Sequence, residues 1–314
     1  MKERGVGIFG DTGMVGKTIE YFLGMHEDVK VIFRRNSTRA IGELNECELC
    51  FLATSDAESM EFAIQALHAG IRVIDMSGAF RLPRHDFEKW YGIEHTAPAL
   101  IESAAYGMPA INADSIRGSA LVANPGCYAT CAILTLRPLK GMTEGEATIV
   151  ATSGNSGARR ATESEPNEIT YSYGKRHKHV PEIIKYSGFD VNFTPIVLRS
   201  VFRGINMNIR VKLSENYAGL SDEDVIVSLE ERIESSYCPD DLVFVRRDAS
   251  EKMWGDKDVN NTNNMIIKVR AEAGFAYICS MLDNLVKGAA GQAIENMNLM
   301  LGLPRLKGLN ANAG

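Results

Sequence analysis

The sequence holds no apolar run approaching the ~18 residues that a membrane-spanning helix needs, so no membrane partner is expected. It also lacks a basic excess: 34 Lys and Arg stand against 40 Asp and Glu, for a formal net charge of −6. Nucleic acid, whose affinity rests on neutralised phosphates, is therefore not an expected partner. A small anion remains open, because it needs only a local cluster of cations. Cysteine is scarce, with six in 314 residues, and no second C-x-x-C accompanies Cys47-Glu48-Leu49-Cys50. The pair is therefore read as a coincidence of spacing rather than as half of a zinc site or a redox pair, and no metal is expected. Met1-Lys2-Glu3-Arg4 runs straight into a strand-like segment without an apolar leader, which leads to the expectation of a cytoplasmic protein with reduced thiols. Cys47, Cys50, Cys131 and Cys238 are read as structural. There is no internal repeat and no low-complexity tract, and the length suits two domains of about 150 residues each.

What is present is alternation. "VGIFGDTGMVGKTIEYFLGM" begins with a short apolar strand at residues 6–9. Glycines follow at Gly10, Gly13 and Gly16, then Ile19, Phe22 and Leu23 at helical spacing. Strand, glycine turn and helix make a dinucleotide-binding unit, in which the backbone admits a pyrophosphate and the helix start supplies amide donors. The spacing is G-x-x-G-x-x-G, and an ordinary glycine turn in a flavodoxin-like sheet is the competing reading. After a second strand, 29–33, the acid that selects NAD is absent. Arg34, Arg35, Asn36 and Ser37 stand there instead, and two guanidiniums suit the 2′-phosphate of NADP(H); a solvated basic turn is the alternative. Further strands at 49–54, 71–77 and 120–124, with a helix at 57–70 ended by Gly70, predict an α/β fold with a Rossmann-type, doubly wound parallel sheet. Ligands of such sheets sit at the carboxyl ends of the strands.

From about residue 143 the rhythm changes to longer strands with few helices, one of them roughly 221–236. This predicts a second α+β domain with a mostly antiparallel sheet. "NLVKGAAGQAIENMNLMLGL" reads as an amphipathic helix returning to the first domain. The resulting assignment is 1–126 with 285–314 for NADP binding, and 127–284 for catalysis and dimerisation.

One thiol stands apart. In "VANPGCYATCAILTL" an Asn-Pro-Gly turn delivers Cys127 to the first turn of a helix, where unpaired amides and the dipole favour thiolate and hence a nucleophile. Cys131, one turn deeper, is expected to be buried. His177 and His179 lie in "GKRHKHVPEII"; if that stretch is extended, both point to one side and one can act as acid/base near neutral pH. A metal pair and a solvated basic loop are the competing readings.

Together these stretches resemble the N-acetyl-γ-glutamyl-phosphate reductase family, which is related to the aspartate-semialdehyde dehydrogenases. The matching pieces are "SGAFRL" (77–82), "AYGMP" (105–109), "NPGCYAT" (124–130), "TSGNSGA" (152–158), "HKHVPEI" (177–183), "FTP" (193–195), "FRGI" (202–205) and "DNLVKGAAGQAIENMN" (283–298). They keep the family's order and span nearly the whole chain. The resemblance implies NADPH-dependent reductive dephosphorylation of an acyl phosphate through a cysteine thioester, with inorganic phosphate as co-product, and a homo-oligomer (dimer or tetramer) by analogy. It implies Cys127 as nucleophile and His179 as acid/base, with His177 in reserve. Ser153, Gly154, Arg203, His177 and Arg81 would face substrate. Gly10, Asp11, Thr12, Gly13, Met14 and Val15, together with Arg34, Arg35 and Ser77, would contact cofactor, as would Lys287, Gly288 and Gln292. Departures from the family pattern are Ser55-Asp56 where a histidine is usual, Ala110 after Pro109, Ile196, Arg159, and a segment missing after Ser37. Several touch substrate recognition. The same chemistry on an N-succinylglutamyl, carrier-linked aminoadipyl or glutamyl, or aspartyl phosphate is therefore a rival, as is a non-catalytic NADP-binding protein.

Overall fold

The computed structural model describes residues 3–157, 164–247 and 256–309. Ala158, the last residue of the matching "TSGNSGA", and Arg159, one of the departures, lie outside them. The chain forms two compact units. One comprises Met1–Gly126 with the chain from Ala289 onward, the other Cys127–Gly288.

The first unit begins β1 (Arg4–Phe9), α1 (Met14–Gly24), β2 (Val29–Arg35), β3 (Ala40–Ile41), β4 (Leu49–Leu52), α2 (Asp56–His68) and β5 (Arg72–Asp75). It continues with α3 (Arg84–Tyr91), α4 (Pro98–Ser103), β6 (Ala105–Tyr106), α5 (Pro109–Gly118) and β7 (Leu121–Ala123). The sheet order is β3-β2-β1-β4-β5-β7-β6, parallel except where β3 runs against β2. The doubly wound expectation is met. β4, "LCFL", is buried at every position, as a strand covered on both faces must be. The order reverses between β1 and β4, and Gly10 lies at that switch point. Its φ is +83°, and a Cβ there would collide with the Ala53 carbonyl, so only glycine fits. The Ser55-Asp56 departure has a structural account. Ser55 caps α2 in a reciprocal box with Glu58, and Asp56 Oδ1 accepts the Gly78 N–H at 2.7 Å.

The second unit holds α6 (Cys127–Leu136), β8 (Thr143–Gly154), β9 (Glu168–Thr170), α7 (Val180–Ser187), β10 (Val191–Leu198) and β11 (Ile205–Leu213). It ends with α8 (Asp222–Ser235), β12 (Val243–Val245), β13 (Met265–Glu272) and β14 (Phe275–Leu282). The order is β12-β13-β14-β11-β8-β10-β9. Four neighbour pairs are antiparallel, and β8–β10 and β12–β13 are parallel. Burial alternates along β10 and β11, the mark of a sheet with one covered face. α6 packs against β11, β14 and α7.

Two readings are corrected. The last helix, α9 (Gly291–Leu301), packs in the first unit against α1, α5 and β5 but is not amphipathic: all of its residues are buried. Its polar side chains make internal hydrogen bonds rather than a wet face. Asn296 Nδ2 donates to the Gly107 carbonyl and Asn124 Oδ1, both at 2.9 Å, and Glu295 accepts Arg305 at 2.6 Å. Cys238 is exposed, whereas Cys47, Cys50 and Cys131 are buried. Among the described residues no helix is long and apolar enough to cross a membrane.

A Cβ at Gly16 would strike the Gly10 carbonyl, whereas one at Gly13 has only that oxygen near it, at 3.5 Å. Gly16→Ala is therefore expected to cost about 1–3 kcal/mol, read as a lower denaturant midpoint. Gly13→Ala should cost less than about 1 kcal/mol. Equal midpoints for the two would contradict this account.

Candidate active site

α6 begins at Cys127, directly after the Asn-Pro-Gly turn. Every later residue of the helix is buried, and Cys127 alone keeps partial exposure. The helix is apolar on all sides because β11, β14 and α7 enclose it. Cys131, as expected, is inside, and burial raises its thiol pKa. Of the two thiols in α6 the accessible one is thus at the helix mouth, beside the first-turn amides.

The next residue, Tyr128, is the centre of a ring cluster. Its ring centroid lies 5.6 Å from His177, 6.0 Å from His179 and 5.1 Å from Phe193. His177 and His179 are 4.7 Å apart. The stretch that carries them is a turn entering α7 rather than an extended strand, so their shared side comes from the turn and not from strand alternation. Both are buried, which removes the solvated-loop reading. His177 Nδ1 accepts the His179 backbone N–H at 3.1 Å, and its Nε2 lies 3.4 Å from the Tyr171 hydroxyl. With Nδ1 accepting, the neutral ring carries its proton on Nε2 and donates to Tyr171. Burial, with a smaller contribution from Lys178, lowers the His177 pKa to about 4. Tyr171 is pushed up to about 12, first by burial and then by its electrostatic interaction with Cys127. Tyr128 is raised by burial and then by Tyr171 and Cys127, and its hydroxyl faces that of Ser153. Cys127, Tyr128, Ser153, Tyr171, His177 and His179 therefore form one electrostatic neighbourhood within the second unit.

Ser153 and Gly154 end β8. A Cβ at Gly154 would lie 2.5 Å from the Phe202 carbonyl and the Arg203 nitrogen, so this glycine permits the close approach of the 202–204 loop. Arg203 is mostly buried, with Nη1 at 2.6 Å from Asn261 Oδ1 and 3.2 Å from Asp283 Oδ2.

In the first unit, α1 starts at Gly13 without a side-chain cap and without an acidic residue in its first turn. The amides of Thr12, Gly13, Met14 and Val15 and the open space over Gly13 fit a pyrophosphate. Asp11 is buried and accepts Asn36 Nδ2 at 2.8 Å and Arg39 Nη2 at 3.1 Å, which ties the loop after β2 to the glycine turn. Although burial opposes it, these bonds lower the Asp11 pKa. Arg34 is held by Glu20 at 2.7 Å, and the Arg35 guanidinium lies 4.7 Å over the Phe62 ring. Ser77 donates to Asp75, whose pKa burial raises to about 6. Gln292 is buried at the start of α9.

Arg81, Lys287 and Gly288, also in the implied set, pack against partners within their own units. Arg81 lies in the first unit with its guanidinium on the backbone carbonyls of Asn124 (2.8 Å) and Met76 (2.9 Å), tying the ends of β5 and β7 together. Lys287 belongs to the second unit and is buried, with Nζ 2.8 Å from the Asp241 carbonyl. Gly288 lies against Cys127. Sequence reasoning passed over Tyr171, Asp283 and Asn284. The last two sit inside the quoted "DNLVKGAAGQ", and only their distant partners reveal them.

A doubly wound unit with a glycine turn, followed by an α+β unit with a cysteine at a helix mouth, matches the domain pair of the semialdehyde dehydrogenases. The semialdehyde dehydrogenase NAD binding domain matches residues 35–119 and the semialdehyde dehydrogenase dimerisation domain matches 127–284. An aspartate semialdehyde dehydrogenase II from Vibrio cholerae has this fold, with a TM-score of 0.72 at 19% identity over 96% of this chain and 99% of that one. The Candida albicans aspartate semialdehyde dehydrogenase with NADP gives a TM-score of 0.72 at 15% identity, over 96% of this chain and 99% of that chain. Among curated relatives, N-acetyl-γ-glutamyl-phosphate reductase of Clostridium novyi is 32% identical over 97% of each chain. The enzyme of that name from Thermus thermophilus is 37% identical over 83% of this chain and 80% of its own. The chain belongs to the N-acetyl-γ-glutamyl-phosphate reductase family.

The His177 tautomer has a direct test. Nitrogen-15 correlation spectra should show a neutral Nε2–H ring down to pH ~5; titration near the ordinary 6.5 would contradict the burial argument. Because the folded pKa is depressed, His177 weakens folding as pH falls from about 6.5 towards about 4.

Proposed function

We propose that this protein is an NADP(H)-dependent, phosphorylating semialdehyde dehydrogenase that reduces N-acetyl-γ-glutamyl phosphate to N-acetylglutamate 5-semialdehyde, releasing inorganic phosphate. The carrying observation is Cys127, the single incompletely buried residue of α6, set in the neighbourhood of Tyr128, Ser153, Tyr171 and the two histidines. The Cys127 thiolate attacks the acyl carbonyl, the C–S bond forms, and the C–O bond to phosphate breaks with the electron pair leaving on phosphate. NADPH, when bound, supplies the hydride that takes the thioester to the aldehyde level. Collapse of the thiohemiacetal on Cys127 returns the sulfur as thiolate. Splitting one hard displacement into two is what the covalent step contributes.

His179 is the acid/base. His177 is neutral with both ring nitrogens engaged, so it orients His179 and Tyr171 rather than shuttling protons. The Tyr171 and Ser153 hydroxyls supply donors for developing charge at the carbonyl oxygen. Arg203, held by Asp283 and Asn261, binds an anionic group of the substrate. The first-turn amides of α1 would hold the cofactor's pyrophosphate, and Arg34 and Arg35 at the end of β2, with Arg39 just before β3, carry guanidiniums suited to its 2′-phosphate. The partly exposed sheet face carrying Val150, Arg210 and Tyr277 is where a second copy would pack, giving a dimer or a tetramer.

The test is phosphate-dependent reduction of NADP by N-acetylglutamate 5-semialdehyde. Cys127→Ala should lower kcat by at least about three orders of magnitude. His179→Gln should lower it about 10²–10⁴-fold, and His177→Gln by less. The reverse ranking would move the acid/base role to His177. Turnover only with the succinylated or the aspartyl aldehyde would overturn the substrate, and NADP binding without turnover of any of them would favour a non-catalytic protein.

A further inference from the structure

Asp283, the residue after β14, is fully buried and has no part in the bond-making above, yet it binds Arg203 directly and holds the turn that lies against Cys127. Its Oδ1 accepts the backbone N–H groups of Leu285 (2.8 Å) and Val286 (3.2 Å). Its carbonyl accepts the Gly288 N–H at 2.9 Å. Asp283 therefore both starts and closes the π-helical turn Val286–Ala290, a geometry that recurs at functional sites. Its Oδ2 accepts Arg203 Nη1 at 3.2 Å and the Asn261 N–H at 2.8 Å. The neighbouring Asn284 accepts the Gly204 N–H at 2.7 Å and donates to Ser156 Oγ at 3.1 Å, fixing the same loop from its other side. The turn lies directly behind the nucleophile: a Cβ at Gly288 would sit 2.8 Å from the Cys127 Cβ and 3.2 Å from its Cα. The buried Lys287 ammonium pins the turn again through the Asp241 carbonyl.

We propose that Asp283 is a positioning residue that sets the substrate-binding arginine and the reactive sulfur relative to each other. Oδ2 aims Arg203, and Oδ1, through the π-turn and Gly288, backs Cys127. A carboxylate is required because both oxygens face N–H donors, and an amide would turn its NH₂ group against one pair of them. The proposal rests on the roles given above to Cys127 and Arg203.

Two readouts separate the arms: KM for N-acetylglutamate 5-semialdehyde, and the iodoacetamide alkylation rate of Cys127 followed by peptide mass spectrometry. Arg203→Met should raise KM about tenfold, the value of a charge-assisted hydrogen bond, with alkylation unchanged. Gly288→Ala should slow alkylation and kcat with KM little changed. Asp283→Asn should do both, and in that background Arg203→Met should add less than about threefold to KM, because partners in one network are non-additive. Asp283→Ser keeps a local acceptor for the Leu285 amide and serves if the asparagine variant does not fold; it should reproduce the Arg203→Met change in KM with near-normal alkylation. Full additivity of the Asp283 and Arg203 changes in KM, or a folded Asp283→Asn protein with normal KM and alkylation, would overturn the proposal. Alkylation needs no substrate. A wild type inactive on this aldehyde, with the alkylation response to Gly288→Ala and Asp283→Asn intact, would overturn the substrate reading and support the positioning one.

Discussion

One constraint organises the second unit: α6 is enclosed along its whole length and opens only at its first residue. A helix that is apolar on every side must be wrapped, and wrapping by β11, β14 and α7 leaves the amino end as the place where polar chemistry can meet solvent. The first-turn amides and the positive end of the helix dipole lie at that end. A cysteine there is small enough to pack and placed to react, whereas Cys131 one turn on is sealed by the same wrapping.

The polar groups around that opening are settled by burial and tautomer together. His177 stays neutral because it is buried, and once neutral it can accept from the His179 amide and donate to Tyr171. A protonated ring would lose the acceptor and release the turn that carries His179. The glycines are equally specific in purpose. Gly154 admits the Arg203 loop, Gly288 admits Cys127, and in the first unit Gly10 admits the Ala53 carbonyl while Gly16 admits the Gly10 carbonyl at the switch point. At Gly10, Gly16 and Gly154 a methyl group would displace main chain, and at Gly288 it would displace Cys127.

The sequence disclosed local order well. The β–glycine turn–α start, the strand alternation, the change of rhythm near residue 143 and the turn before Cys127 are all written in neighbouring residues, and the family resemblance covered what spacing alone left open. Three kinds of information were not written locally. The polar residues of α9 looked like a wet face because their partners, such as Gly107 and Asn124, lie more than 170 residues away in the chain. The packing of Lys287 and Gly288, which the resemblance implies as cofactor contacts, is equally non-local, since their neighbours Asp241 and Cys127 lie far from them in the chain. Asp283 carried no signal of its own, since its link to Arg203 joins residues 80 apart. Cys238, alike in sequence to the buried thiols, is exposed.

The central claim is that the Cys127 sulfur forms a covalent acyl intermediate. The most direct measurement is rapid mixing of the enzyme with N-acetyl-γ-glutamyl phosphate in the absence of NADPH, with phosphate release followed in time and the quenched protein mapped by peptide mass spectrometry. The account predicts a burst of about one phosphate per active site and an N-acetylglutamyl thioester on the peptide containing Cys127. A catalytically competent enzyme that gives no burst, or an acyl group carried elsewhere, would contradict it.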